Sequence, residues 1–327
     1  MYDYTLIIVN FLFDLLKSFE YTHAMETLII ITSIYLFICI GYALKKIFTH
    51  DINEKTLILL SVYFLQPILT FWGLTRVSIN NDLLYLPLVY LLVIISVLIF
   101  LLLVAKYIFE DKQEQSIFIV SSLIGNTGNL SIPLGIALFG ESSVPYTSMI
   151  NIANIFFIYT IGIFFYAKSS FSLKESLISM MKIPILWFAL IALLFNYFSI
   201  TIDPQINLVL EMGAYAAIVI QLIILGIYLS KVKLKEHDYK LSLSISFVKL
   251  VFLPAVGIVF ALYSGLENQI AIILLISLFA PLAVTNVNIA ALYNCKPSSV
   301  AGAILMSSFL FLFLIYFNIE IVTWIFR

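Results

Sequence analysis

The chain has 327 residues, of which 63% are hydrophobic and 11% charged, and its net charge is −1. A soluble domain carries about a quarter charged residues, so this composition excludes a soluble enzyme and specifies a polytopic membrane protein. The near-zero net charge argues against a nucleic-acid partner, and at about twenty residues per span the chain has room for about ten transmembrane helices.

The first segment, 1–24, is apolar only over Leu6–Leu16, and Asp14 and Lys17 interrupt or flank that run. It has no basic region before it and no small-residue cleavage site after it, which predicts an interfacial helix rather than a signal peptide. Hydrophobic runs bounded by charges or turn residues then predict spans over 25–47, 56–75, 83–108, 115–139, 146–167, 174–198, 207–230, 240–264, 268–293 and 299–325. Gly140-Glu141 and Lys296-Pro297 read as turns. Loops after odd-numbered spans, with their helix ends, carry every lysine and arginine except Lys17, Arg76 and Arg327. The positive-inside rule therefore places both termini outside the cell membrane. Within that bias, the Lys231–Lys240 cluster is a topology signal and a candidate contact for anionic lipid.

The fourth span contains Gly125-Asn126-Thr127-Gly128-Asn129-Leu130-Ser131-Ile132-Pro133. In lipid an unsatisfied polar group costs several kcal/mol, so such a run needs protein or a water-filled cavity beside it. The ninth span has a second interruption, Ala280 to Asn288, with Pro281, Thr285, Asn286 and Asn288. Each interruption leads into a similar segment, Ile136-Ala137-Leu138-Phe139-Gly140 in one half and Ala290-Ala291-Leu292-Tyr293-Asn294 in the other. Ten spans divide as five plus five, so 25–168 and 169–327 are expected to be repeats of inverted topology, and matched interruptions mark the binding site of such folds. The competing reading is that the polar side chains merely re-satisfy a proline kink.

Asparagine amides, threonine hydroxyls and half-helix N-termini suit a carboxylate. Neither interruption holds an acidic residue, which disfavours a directly carboxylate-ligated sodium or proton site. The expected substrate contacts are Asn126, Thr127, Asn129, Ser131, Thr285, Asn286 and Asn288, with Asn151 and Asn154 facing inward from span five. Gln66 and Gln221, in spans two and seven, are either polar glue between helices or a support to the site. Lys249 is expected to snorkel to the interface, or else to balance a substrate or a dipole. Glu211 reads as interfacial, and Cys39 and Cys295 as buried free thiols. No metal site is expected, because His23, His50 and His237 lack ligand spacing. The spans hold no His-Glu-x-x-His, no aspartate pair and no phosphate loop, so neither an enzyme nor a cofactor is expected. A channel is the rival class, since interrupted helices also line pores.

The run Asn126-Thr127-Gly128-Asn129-Leu130-Ser131-Ile132-Pro133 resembles the NTGNLGIP signature of the auxin efflux carrier family, which includes bacterial organic-anion carriers and plant PIN-formed auxin exporters. Gln66-Pro67, Lys182-Ile183-Pro184, Lys249 with Pro254, and Ala280-Pro281 with Ala290 to Asn294 agree with it. The resemblance implies an all-α integral membrane protein of ten helices in two inverted five-helix repeats, with helices four and nine broken and crossing at mid-membrane. Elevator-like motion of a transport bundle against a scaffold is implied as well, and so is carriage of a small organic anion such as a mono- or dicarboxylate. A sodium-coupled symporter of the bile-acid type is the alternative, and coupling to H+ or Na+ stays open; relatives also suggest a homodimer. Asn126 matches the asparagine that opens the family motif, Pro133 its crossing proline, and Gly128 and Pro281 are expected at the crossing. Ser131 stands where the family has glycine, and Asn286 where relatives often have a second proline.

Overall fold

A chain surrounded by lipid must satisfy its backbone internally, and the long apolar runs do so as helices. The computed structural model describes residues 21–49, 52–76, 79–167, 172–230 and 238–326. Its helices are α1 (Tyr21–Ile47), α2 (Thr56–Leu74), α3 (Asn81–Ile108), α4 (Lys112–Ser121), α5 (Thr127–Phe139), α6 (Glu141–Ala167) and α7 (Leu173–Met181), followed by α8 (Pro184–Tyr197), α9 (Pro204–Leu229), α10 (Tyr239–Ser264), α11 (Asn268–Phe279), α12 (Thr285–Leu292) and α13 (Pro297–Ile325). Six of these, α2, α3, α6, α9, α10 and α13, contain stretches long and apolar enough to cross a membrane, while α5, α8 and α11 are shorter apolar helices. Among the described residues the extended pairing is an isolated antiparallel bridge between Gly125 and Leu282. The expected interfacial segment 1–24 lies outside the described residues except for Tyr21–Ala24, which open α1; Lys168, Lys231, Lys233 and Lys235 also lie outside them.

Side-chain caps set several starts. Asn80 accepts from the Leu83 amide at 2.7 Å, Asp111 from Gln113 at 2.8 Å and Asp238 from Leu241 at 3.0 Å, each satisfying an amide with no helical partner. Wider π turns occupy Ser61–Leu65 in α2, Thr127–Ser131 in α5 and Val248–Phe252 in α10, and Pro67, Pro133 and Pro254 follow them. Proline donates no backbone hydrogen bond and its ring crowds the preceding turn, and the π turn opens the helix where that crowding falls.

The expected sixth span, 174–198, is not one helix. It divides into α7 and α8 at Lys182-Ile183, with Pro184 opening α8. At 14 residues, α8 is about 21 Å long, short of the roughly 30 Å hydrocarbon core. Neither cysteine is in a disulfide, but Cys39 is exposed on α1 rather than buried; Cys295 is buried.

The helices sort by contact into two bundles. In one, α9 packs against α1 and α2, and α2 against α8. The other gathers α3, α6, α10, α11 and α13 with α4 and α12 around a shared apolar core that includes Leu86, Phe118, Phe157, Leu253, Leu274 and Phe311. Charged contacts separate the two ends of the molecule. At one end Lys240 Nζ donates to the Ile108 carbonyl at 2.6 Å, and Lys296 pairs with Asp111 and Glu114, each at 2.5 Å. At the other, Arg76 pairs with Glu141 at 2.6 Å and lies 3.8 Å from Glu211, while Tyr215 donates to Glu141. Glu211 thus sits in an ion-pair cluster near the start of α9.

The α1–α9 contact depends on glycine. A Cβ on Gly41 would overlap the Ile223 carbonyl, and one on Gly226 the Ile38 carbonyl and the Tyr42 amide. Small residues let backbones approach this closely in lipid, where packing rather than the hydrophobic effect joins helices. Gly226→Leu is therefore expected to separate α1 from α9 and to destabilise the protein by about 1–3 kcal/mol. A melting temperature in detergent equal to wild type would contradict that contact.

Candidate functional site

After Ser121 the chain leaves the helix, and Ser122 closes the end by donating to the Phe118 carbonyl at 2.6 Å. After Phe279 it does so again. The two extended stretches run antiparallel: Asn126 N–H donates to the Pro281 carbonyl at 2.8 Å, and Ala283 N–H to the Ile124 carbonyl at 3.1 Å. Each interruption thus satisfies backbone groups that the other leaves open. Leu282 N–H donates to Ser307 Oγ on α13 at 3.2 Å. Asn286 Nδ2 bonds the Ile124 carbonyl at 3.1 Å and the Ala283 carbonyl at 3.0 Å.

A second set of bonds fixes the junctions to the helices around them. Asn154 on α6 donates from Nδ2 to the Gly125 carbonyl and to Thr127 Oγ1, both at 2.9 Å. Its Oδ1 accepts from Tyr90 of α3 at 3.2 Å. Thr127 passes the chain on to Asn151 Oδ1 at 3.0 Å. Tyr166 donates to Asn286 Oδ1 at 3.0 Å and contacts Ser121 at 2.7 Å. These bonds pair the amides of Asn154 and Asn286, each of which would cost about 1–3 kcal/mol if left unpaired.

Beside the junctions lies a cavity of about 380 Å³. The sequence-expected residues Asn126, Thr127, Asn129, Asn151, Asn154, Thr285 and Asn288 line it, with Gly128 and Gln66. Gln66 donates to Asn129 Oδ1 at 3.0 Å, joining α2 to the first turn of α5. Asn126 caps α5 by accepting from the Asn129 amide at 3.3 Å, and its buried Nδ2 has no hydrogen-bond partner. Apart from Ser61, the remaining wall is mainly aromatic and aliphatic, with Tyr63, Tyr159, Ile155, Ile224 and Ile289 among its residues. No acidic or basic side chain is among the lining residues.

The other expected residues are placed elsewhere. Ser131 is fully buried in the π turn of α5, its hydroxyl unpaired, and does not line the cavity. Asn286 is equally buried and its amide is committed to the junction and Tyr166, so it acts in the backbone crossing rather than in the cavity wall. Pro133 lies past the π turn, away from the backbone meeting point at Gly125 and Leu282, whereas Pro281 is at that point. Gln221 is buried on α9 with both amide atoms unpaired, and does not line the cavity. Lys249 does not snorkel; it is 0% exposed and its Nζ has no hydrogen-bond partner. Reasoning from the sequence missed Tyr90, Tyr166, Ser121 and Ser307, which brace the junctions. Their signal, single hydroxyls inside apolar runs, is shared by many residues of this chain.

Comparisons with known proteins place the chain in a family. The sequence profile of a family described as "Membrane transport protein", the auxin efflux carrier-like family, matches residues 23–319. The chain is also 22% identical over 289 residues to an uncharacterized transporter of Methanocaldococcus jannaschii, covering 85% of this chain and 93% of that one. With a match over nearly its whole length, the chain belongs to the auxin efflux carrier-like membrane transport family and is a multi-pass membrane transport protein.

Proposed function

We propose that this transporter is a secondary carrier that moves a small organic anion, such as a mono- or dicarboxylate, across the cell membrane by alternating access. The observation that carries this reading is the cavity at the paired junctions. Its polar wall is made of amides and hydroxyls beside the N-termini of α5 and α12, and the unpaired Asn126 Nδ2 is a donor without an acceptor. Helix N-termini and free amide donors favour negative charge. Of the carbonyls that could ligate a cation instead, Ile124 already accepts twice, from Ala283 and Asn286, while Gly125 and Pro281 each accept once, from Asn154 and Asn126. That observation favours the anion over the sodium reading of the crossing.

On this reading α4–α5 and α11–α12 are the two broken helices of an inverted repeat, crossing at mid-membrane. Separate bundles, one containing α1, α2, α8 and α9 and the other containing the junctions, are the parts an elevator-like mechanism requires. The cavity reaches Ile58, Ile183 and Ile224, toward the end that carries Lys45, Lys182 and Lys240. By the positive-inside rule that end is cytoplasmic, and both termini are extracytoplasmic. The opposite end is closed by Arg76, which joins Glu141 beside α5 to Glu211 on α9 and stacks on Trp72 with its guanidinium 4.5 Å from the ring centre. This cluster ties the two bundles together in an inward-facing state.

In proteoliposomes, purified protein is expected to exchange labelled carboxylate for internal carboxylate with saturation and counterflow; a linear, voltage-driven current without saturation would replace the carrier by a channel. Asn126→Ala should weaken carboxylate binding by roughly 10- to 100-fold, the effect of one hydrogen bond to a charged group, read as loss of ligand-induced thermal stabilisation. Wild-type affinity in that variant would refute the site. Arg76→Ala should open the outer end, so that a cysteine placed at Thr285 in a cysteine-free background reacts with an impermeant maleimide from the arginine-bearing side. Labelling restricted to the lysine-rich side in both proteins would remove Arg76 from the gate.

A further inference from the structure

Among the described residues, one buried lysine lies at the junctions with no hydrogen-bond partner. Lys249 extends from the π turn of α10 into the protein interior, 0% exposed. A Cβ on Gly125 would stand 2.5 Å from its Nζ, 3.0 Å from its Cε and 3.4 Å from the Ala280 carbonyl oxygen. The ammonium therefore rests against the backbone of the meeting point, in the space that a side chain at 125 would fill. Gly125 itself lines the cavity and Lys249 does not, so one backbone unit separates the charge from the cavity.

Among the described residues no carboxylate pairs with Lys249. The helix α10 packs against α3, α4, α11 and α13. Of these, α11 carries no acidic residue; the others carry Asp82 in the first turn of α3, Glu114 in α4, and Glu320 near the end of α13. Glu114 is paired with Lys296, and none of the three pairs with Lys249. Helix ends do not answer it either. Each helix terminus carries about half a unit charge, positive at the N-terminus and negative at the C-terminus. Two C-termini, those of α4 and α11, and two N-termini, those of α5 and α12, converge here and cancel. With Lys249 protonated, as a bound anion favours, the junction holds about one net positive charge.

Building on the carrier reading above, we propose that Lys249 is the fixed countercharge of the transported anion, acting across Gly125, and that its single charge makes the carried species a monoanion. A monocarboxylate brings the buried site to neutrality. A dicarboxylate leaves one negative charge buried and unmatched, and such a charge is strongly penalised. Glycine at position 125 is what allows the ammonium to approach.

The test crosses ligand charge with residue charge. Thermal stabilisation of the purified full chain is titrated with propionate and benzoate, with their uncharged amides, and with malonate and succinate. Wild type should prefer each monocarboxylate to its amide by roughly 100-fold, the factor expected for unit charges about 6 Å apart at an effective dielectric constant near 20. It should also prefer the monocarboxylates to the dicarboxylates by at least about tenfold. Lys249→Met should shrink the acid-to-amide ratio to a few-fold while amide affinity stays near wild type, and Lys249→Arg should restore the ratio. A merely structural lysine would weaken acid and amide alike, and that result overturns the assignment, as does a wild-type preference for dicarboxylates. Should Lys249→Met fail to fold, Gly125→Ala displaces the ammonium tip and should reduce the same ratio several-fold; an unchanged ratio there also overturns it. Wild-type protein that binds no carboxylate sinks the carrier reading itself, an outcome distinct from all of these.

Discussion

The requirement that every backbone polar group find a partner away from water governs this molecule. A helix interrupted among apolar neighbours exposes amides and carbonyls whose loss of hydration costs several kcal/mol each. Ile124 to Asn126 and Pro281 to Ala283 meet that requirement reciprocally, through two backbone bonds of 2.8 and 3.1 Å. Neither interruption is satisfied by itself, so residues more than 150 positions apart must come together before either segment is stable. Asn154, Asn286 and Ser307 then secure the meeting point to α6, α12 and α13. The second bundle is organised around this contact, and its apolar core encloses it.

The chemistry of the cavity follows from which groups the pairing uses. Carbonyls at the junctions are consumed by the reciprocal bonds and by asparagine amides, while the helix starts at Thr127 and Thr285 keep their amides directed along α5 and α12. Under the carrier reading, the carbonyls already engaged and the unpaired Asn126 Nδ2 tilt the space toward an anion. The aliphatic part of the wall, Ile155, Ile224 and Ile289, excludes water and strengthens whatever electrostatic attraction is present. Under the carrier reading, a polar stretch in an apolar helix is thus at once a structural necessity and a recognition surface. The two readings that compete in the sequence, kink repair and binding, describe different atoms of the same residues: in Thr127 and Asn154 the hydrogen-bonding atoms repair, while the same side chains line the cavity.

Composition and periodicity suffice for the all-helical membrane class, because apolar runs of twenty residues have one stable conformation in lipid, but not for the length of each helix. The interruptions at 125–133 and 280–288 are equally legible, since amides and prolines there contradict their surroundings. The role of each residue within them is not. Pro133 looks like the breaker, yet the chain leaves the helix at Ser122 and the proline is accommodated by a π turn, a choice that depends on tertiary packing. Asn286 and Asn288 are two residues apart, and only the rotation of α12 decides that one binds the backbone crossing while the other faces the cavity. Lys249 reads as a snorkelling lysine because hydropathy gives its depth along the helix, not the direction it faces. The division of the expected sixth span follows from Pro184, whose effect an averaged window of apolar residues conceals.

The placement of bonds between the bundles bears on how the carrier would move. The junctions are hydrogen-bonded to Asn154 of α6 and Ser307 of α13, and Asn154 is bonded in turn to Tyr90 of α3, which ties them to their own bundle. Across the boundary, Gln66 to Asn129 is a bond between neutral groups, and Arg76 to Glu141 is a partly exposed ion pair. Exposed pairs contribute about 0–1 kcal/mol, and a single interhelical hydrogen bond in a membrane averages about 0.6 kcal/mol. Links of that size can be exchanged on every cycle, whereas unpairing the junction backbone would expose several groups at once. Under the carrier reading, motion therefore runs along the boundary with α1, α2 and α9, and the site travels intact rather than opening at its own crossing.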